Sequence, residues 1–226
     1  MSGEATGPLV VLVRHGETAW NVEHRFQGQH DTDLTDAGRG QAVEAAAAVA
    51  DAVAGRSVRL VTSDLSRARE TAAAIGAALG VPARSDARLR EVAAGRWQGL
   101  LQPEIEALDP EAFAAWRAGE DVVLGGAERP GEAGERVRQA VTEHATDAEG
   151  VLVVVGHGAS IRAGLAALLG QPELRRVLVP LGNTATALLS PAAGPGRTWR
   201  LHGWNLPAAA LAEVLHRPRT ASAAVT

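Results

Sequence analysis

Two histidines of this 226-residue chain stand in matching surroundings. His15 follows the apolar run 9–13 and lies between Arg14 and Gly16, while His157 follows the run 150–155 and lies between Gly156 and Gly158. Imidazole is the side chain whose charge changes near neutral pH, and its neutral form carries a lone pair that can attack. A guanidinium is a permanent, forked cation suited to oxyanions. Arg14-His15 therefore predicts a histidine that attacks a phosphate held by arginines. A lone histidine is more often structural, but two at equivalent strand ends, each beside glycine, shift the balance toward a site. Arg67 and Arg69 lie in the run DLSRARET at 64–71, and because i and i+2 do not share a helix face, at most one of them should enter that site. Glu91, between the apolar neighbours Leu89 and Val92, could serve as a general acid, although on composition alone a surface glutamate is the commoner case. His24, His30, Asp31 and Asp33 invite a metal-site reading, but no pair has the i, i+4 spacing of a helical zinc motif, which favours a solvated loop.

The elements that must position these residues follow from periodicity. Runs 9–13, 58–63 and 150–155 are short, apolar and valine-rich, as buried strands of a parallel sheet are. In open α/β sheets ligands bind beyond the carboxyl ends of the strands, where Arg14, His15 and His157 lie. Thr35 is a good N-cap for a helix over 37–54 that stops at Gly55. A further helix starts near Ser66 and ends near Gly80, and its N-terminus is a ready anion site. Residues 103–120 predict one or two short helices with Phe113 and Trp116 at i, i+3, a spacing of core packing rather than of a ligand box. Residues 124–134 read as a loop or lid, 135–145 as a helix, 159–169 as another, and 184–189 and 199–201 as edge strands. Residues 1–7 and those from about 216 to 226 are expected to be disordered. With no internal repeat and no interdomain linker, residues 1–226 predict one domain.

Composition narrows the function classes. The chain is 46% hydrophobic and 21% charged with a formal net charge of −4, which argues against a nucleic-acid binder. All 22 basic residues are arginine, and there is no cysteine, which excludes disulfides, thiolate metal sites and cysteine nucleophiles. No apolar run approaches the ~20 residues that span a bilayer, and residues 1–7 lack the basic flank and apolar centre of a signal peptide. The expectation is a cytoplasmic protein with no membrane partner.

RHGET at 14–18, SDLSRARET at 63–71, LREVAAGRWQG at 89–99 and VVGHGAS at 154–160 occur in this order, and together they resemble the histidine phosphatase superfamily, the phosphoglycerate-mutase-like group. The likeness covers residues 9 to about 205. Within the group, FQGQHDTDLTDAG at 26–38, the LREVAAGRWQGL segment and WRLHGWN at 199–205 look most like the actinobacterial glucosyl-3-phosphoglycerate phosphatases. The resemblance implies a three-layer α/β/α sandwich around a mostly parallel sheet. It implies that His15 becomes phosphorylated, that Arg14 and Arg67 clamp the phosphate, that His157 bonds the transferring phosphoryl group and that Glu91 donates the proton. It places Asn21, Gln27 and Gly28 around the phosphate pocket and a backbone N–H of Gly158 near an oxygen. No metal or other cofactor is implied, the partner is a small phosphorylated metabolite (glucosyl-3-phosphoglycerate or a broad set), and such relatives often pair, so a homodimer is one possible state that the sequence does not decide. A protonatable His157 would add to the positive charge. The Pro-Gly-Gly-Glu-Ser lid segment of the group appears here as Arg129-Pro130-Gly131-Glu132-Ala133, and the Glu-Arg-His-Tyr-Gly run and the lysines of the mutases are absent. A phosphatase is therefore favoured over the alternative, a cofactor-dependent phosphoglycerate mutase. A catalytically silent binding protein is disfavoured because every matched catalytic position is intact.

Overall fold

The computed structural model describes residues 7–192 and 199–216. Strands β1 (Leu9–Arg14), β2 (Val58–Thr62), β3 (Ala83–Ser85), β4 (Val151–Gly156), β5 (Thr186–Pro191) and β6 (Trp199–Leu206) form one sheet in the order β3-β2-β4-β1-β5-β6. Strands β3, β2, β4 and β1 are mutually parallel, and β5 runs antiparallel to β1 and β6. The helices are α1 (Ala19–Val22), α2 (Asp36–Ala52), α3 (Ser66–Leu79), α4 (Gln102–Leu108), α5 (Pro110–Arg117), α6 (Pro130–Thr146), α7 (Gly158–Leu168), α8 (Leu174–Val177) and α9 (Leu211–His216).

Side chains alternate across a strand, and here both faces of the sheet are apolar. Val10, Leu12, Leu152 and Val154 pack with Val137 and Val141 of α6 and with Ile161 and Leu165 of α7. Val11, Val13, Val153 and Val155 pack with Val49 of α2, Ala68, Ala72 and Ile75 of α3 and Leu211 of α9. Helices thus cover both faces, the expected three-layer sandwich around a mostly parallel sheet. A third cluster, with Trp97, Ile105, Phe113 and Leu124 at its centre and Phe26 and Trp116 at its edge, lies outside these two layers.

Several boundaries differ from the sequence reading. Helix α6 begins at Pro130, inside the expected lid. Proline suits the first helical turn, where its missing N–H leaves no gap, and Glu132 accepts from the Arg129 N–H at 2.8 Å to close the end. Strand β6 runs on through His202-Gly203-Trp204-Asn205, with register shifts against β5, and α9 was not foreseen. Gly7 and His216 belong to the described structure, His216 closing α9; the rest of the disorder expectation, over 1–6 and 217–226, lies outside the described residues.

The turn after β1 is pressed against the first turn of α2. The Thr35 N-cap accepts from the Gly38 N–H at 2.9 Å, and Gly16 and Gly38 face each other so closely that a Cβ on Gly38 would collide with the Glu17 carbonyl and one on Gly16 with the Gly38 carbonyl. Neither neighbour is a flexible side chain, so a methyl group there must displace backbone. Gly38→Ala is expected to cost roughly 1–3 kcal/mol of stability and, at about 2–4 °C per kcal/mol for a chain of this size, to lower the melting temperature measurably. An unchanged thermal transition would show that the two segments are free to separate.

Candidate active site

The register of the sheet sets the positions of three residues. Arg14 pairs with Gly156 across β1 and β4, and Thr62 with Val155 across β2 and β4. The next residue in each strand is therefore His15, His157 or Ser63, at the carboxyl ends of three adjacent parallel strands. Backbone bonds continue the ladder to His15 and Ser63, with His15 N–H to Gly156 O at 3.0 Å and Ser63 N–H to Val155 O at 2.9 Å. The two imidazoles meet edge to face with centroids 5.1 Å apart.

His15 is 3% exposed, and its Nδ1 lies 2.6 Å from the Gly16 carbonyl oxygen. A carbonyl only accepts, so Nδ1 carries the proton and the Nε2 lone pair is free. The expected donation from the ring to a nearby carbonyl is thus present. Burial and the charges of Arg14 and Arg67 push the His15 pKa well below its ordinary value. The same causes, burial first and then Arg67, push His157 down as well, so both rings are neutral at pH 7. This corrects the expectation that His157 contributes positive charge. His157 is fully buried, with Nε2 2.8 Å from Ser63 Oγ and Nδ1 without a partner. Ser63 Oγ in turn accepts from the Leu65 N–H at 3.4 Å. When the Ser63 hydroxyl donates to Nε2, Nδ1–H is the donor left for an oxyanion.

The two arginines are held by carbonyls and not by carboxylates. Arg14 Nη1 donates to Leu181 O at 2.6 Å, and Arg67 donates to His30 O at 2.7 Å and Gly28 O at 2.9 Å. The Nε of each is buried without a partner. Arg67 is 0% exposed, and burial draws its pKa down to about 10, still well above neutral. Arg69 stays at the surface and bonds Ser66 Oγ, so one arginine of the pair enters the site, as helix geometry predicts. The anion at the N-terminus of α3 is a side chain of the protein: Asp31 accepts from Ser66 N–H at 2.7 Å and Ser66 Oγ at 2.9 Å. The loop that carries Asp31 also supplies the carbonyls for Arg67, while its His30 stacks on Trp20 at 4.5 Å.

Glu91 is anchored at the N-terminus of α7. Its oxygens accept from Ser160 N–H (2.7 Å), Val92 N–H (2.8 Å) and Ala159 N–H (3.0 Å). The setting is polar, unlike the apolar one its sequence neighbours suggested. Its backbone carbonyl is gripped by Gln29 and by Arg136, whose guanidinium also bonds the carbonyls of Arg88 and Arg90 and pairs with Glu128 at 2.7 Å.

A cavity of about 200 Å³ is lined by Arg14, His15, Asn21, Gln27, Gly28, Arg67 and Glu91. Seven of the nine sequence-predicted residues thus share one cavity, and His157 reaches it through its ring contact with His15. Asn21 Oδ1 is occupied by Thr18 and Asn183, which leaves its Nδ2 for the cavity, and Gln27 Oε1 is occupied by Thr32. Gly28 has φ +54°, a left-handed conformation, and a Cβ there would meet Gln98 and Ala94. Gly158, the first residue of α7, lies against the Arg14 side chain and lines a wider adjoining cavity of about 640 Å³. Trp116 lines both spaces as well as packing on Phe113, so the i, i+3 aromatics are not core alone. Ser63, Asn183, Arg136 and Arg162 escaped sequence reasoning. Only Ser63, the polar end of a valine-rich strand beside Asp64, carried a local signal.

The sequence matches the Histidine phosphatase superfamily (branch 1) over residues 10–207. The chain belongs to this superfamily. It is 38% identical to a glucosyl-3-phosphoglycerate phosphatase of Mycolicibacterium vanbaalenii over 91% of this chain and 98% of that one. To a probable phosphoglycerate mutase of Serratia proteamaculans it is 34% identical, over 86% and 89%. A mycobacterial glucosyl-3-phosphoglycerate phosphatase solved with VO3 superposes with a TM-score of 0.79 at 37% identity, covering 88% of this chain and 99% of that chain. The protein is a histidine phosphatase, a phosphoric monoester hydrolase.

In this histidine phosphatase the depressed pKa values carry a sign. Below about pH 6.5 the unfolded chain protonates His15 and His157 while the folded protein does not, so stability falls as the pH is lowered, by up to about 1.4 kcal/mol per pH unit for each ring. The C2–H resonances of both should show no titration step at the ordinary imidazole midpoint of about 6.5. A midpoint near the ordinary value for either would contradict the buried, arginine-flanked setting.

Proposed function

We propose that this phosphatase hydrolyses a small phosphorylated metabolite through a phosphohistidine on His15, with glucosyl-3-phosphoglycerate the substrate its relatives suggest. One observation carries the reading: a neutral His15, its Nδ1–H tied to Gly16, sits among three buried nitrogens without partners, Arg14 Nε, Arg67 Nε and His157 Nδ1. Such a cage matches a phosphoryl group, whose transfer is mainly positioning and charge stabilisation.

In the first half, His15 Nε2 forms a bond to phosphorus as the ester P–O bond breaks, and Glu91 gives its proton to the leaving alkoxide. The ring then bears substituents on both nitrogens and a positive charge, which the Gly16 carbonyl stabilises and which makes the ring a good leaving group. In the second half, water attacks phosphorus, Glu91 takes a proton from it, the N–P bond breaks and inorganic phosphate leaves with His15 neutral again. Arginines supply the positive charge, so no metal is required. The cavity of about 640 Å³, lined by Trp20, Phe26 and Trp116, has room for more than a three-carbon chain, which supports a sugar-bearing substrate. The mutase reading has in its favour the similarity to the Serratia protein, and the absence of lysine from the chain stands against it.

Wild-type protein should release phosphate from glucosyl-3-phosphoglycerate with a chelator present, and His15→Ala should lose about three orders of magnitude or more. Glu91→Gln should cost about 10²–10⁴-fold on alkyl phosphates and far less on p-nitrophenyl phosphate, whose leaving group needs no proton. Loss of activity with the chelator, or transfer of the phosphoryl group to 3-phosphoglycerate and not to water, would overturn the reading.

A further inference from the structure

A fourth buried nitrogen among the described residues has no partner: Arg162 Nε. Arg162 lies one turn into α7, and its guanidinium makes no hydrogen bond or ion pair among the described residues. It lines both cavities with Arg14 and Glu91, between the phosphate cage and the wider space. Among the described residues Glu91 is the one acidic residue lining either cavity, and its oxygens are already engaged by three backbone N–H groups.

Apart from Arg14, which belongs to the phosphate cage, the other arginines around the wider cavity differ from Arg162. Arg25 pairs with Glu23 at 2.6 Å, Arg175 with Asp121 at 3.4 Å and Arg176 with Glu173 at 3.0 Å, while Arg117 lies over the Phe113 ring. Arg162 alone of these has a buried N–H without an acceptor, and a buried, unpaired polar group is costly unless a ligand completes it. The phosphate is already served by Arg14, Arg67 and His157. A planar fork beside that cage suits a second oxyanion.

We propose that Arg162 binds a second anionic group of the substrate, a carboxylate or a further phosphoryl group a few bonds from the scissile ester, and thereby sets specificity for phosphomonoesters that carry one. This rests on the phosphatase reading above. A matched pair isolates the effect: 3-phosphoglycerate and glycerol 3-phosphate differ in a carboxylate against a hydroxymethyl group. Arg162→Gln should lower kcat/KM for 3-phosphoglycerate by about 10–100-fold, the worth of a charge-assisted hydrogen bond. Glycerol 3-phosphate and p-nitrophenyl phosphate should change by no more than about two-fold. Arg162→Lys, which keeps the charge but not the fork, should recover part of the loss. Calorimetric binding of the two ligands to His15→Ala, with and without Arg162→Gln, reads the same discrimination without turnover. Equal losses on all three substrates would assign Arg162 to the phosphate or to Glu91, and no loss on any would leave it without a substrate role; either overturns the proposal. A wild type inactive even on p-nitrophenyl phosphate would instead overturn the phosphatase reading, while the binding comparison would still decide the role of Arg162.

Discussion

An imidazole must stay neutral and correctly aimed while two guanidiniums sit beside it, and much of the site exists to satisfy that constraint. Burial and the positive neighbours remove the proton from His15 Nε2, and the Gly16 carbonyl retains the one on Nδ1. The nucleophile therefore needs no general base. The cost lies in the arginines. Arg14 and Arg67 are inside the protein without a directly paired carboxylate, and carbonyl oxygens of Leu181, Gly28 and His30 satisfy only part of their donors. Buried charge without a counterion is unfavourable. A phosphate dianion supplies what the cage lacks, so the cost of assembling the site becomes a preference for oxyanions.

The scaffold delivers this arrangement through strand register. Because β2, β4 and β1 are adjacent and parallel, their ends bring Ser63, His157 and His15 together with no loop of any length between them. Each following segment has a second task. The turn after β1 packs on α2 through two glycines, the loop after α1 fixes Arg67, and the start of α7 anchors Glu91 through backbone N–H groups. That last contact is the usual attraction of a carboxylate to a helix N-terminus, turned here to hold a functional group at the cavity wall.

Local pattern carried the centre of the site and lost its surroundings. The runs ending in Arg14-His15 and Gly156-His157 combine apolar strand signal with chemistry-bearing residues, so both histidines were legible, and helix periodicity separated Arg67 from Arg69. The partners that orient them are far away in sequence. Ser63 lies 94 residues from His157, Asn183 162 from Asn21, and Arg136 45 from Glu91; no spacing rule reports such pairs. The start of α6 was hidden because Gly131 and Gly134 read as loop, whereas Pro130 and the Glu132 cap decide the local structure. The end of β6 was hidden because its register shifts break the alternation that marks a strand. Asp31 reads from sequence as part of a solvated loop and is a helix cap, a role visible only once the loop lies against α3.

The nitrogen that carries phosphorus in the trapped enzyme tests this picture most directly. Rapid quenching during turnover, followed by phosphorus NMR of the alkali-stable peptide, distinguishes the two ring isomers. If the Gly16 carbonyl holds Nδ1–H as the geometry shows, the phosphoryl group will be on Nε2 of His15. Phosphate on Nδ1, on another residue, or on no residue at all would contradict it.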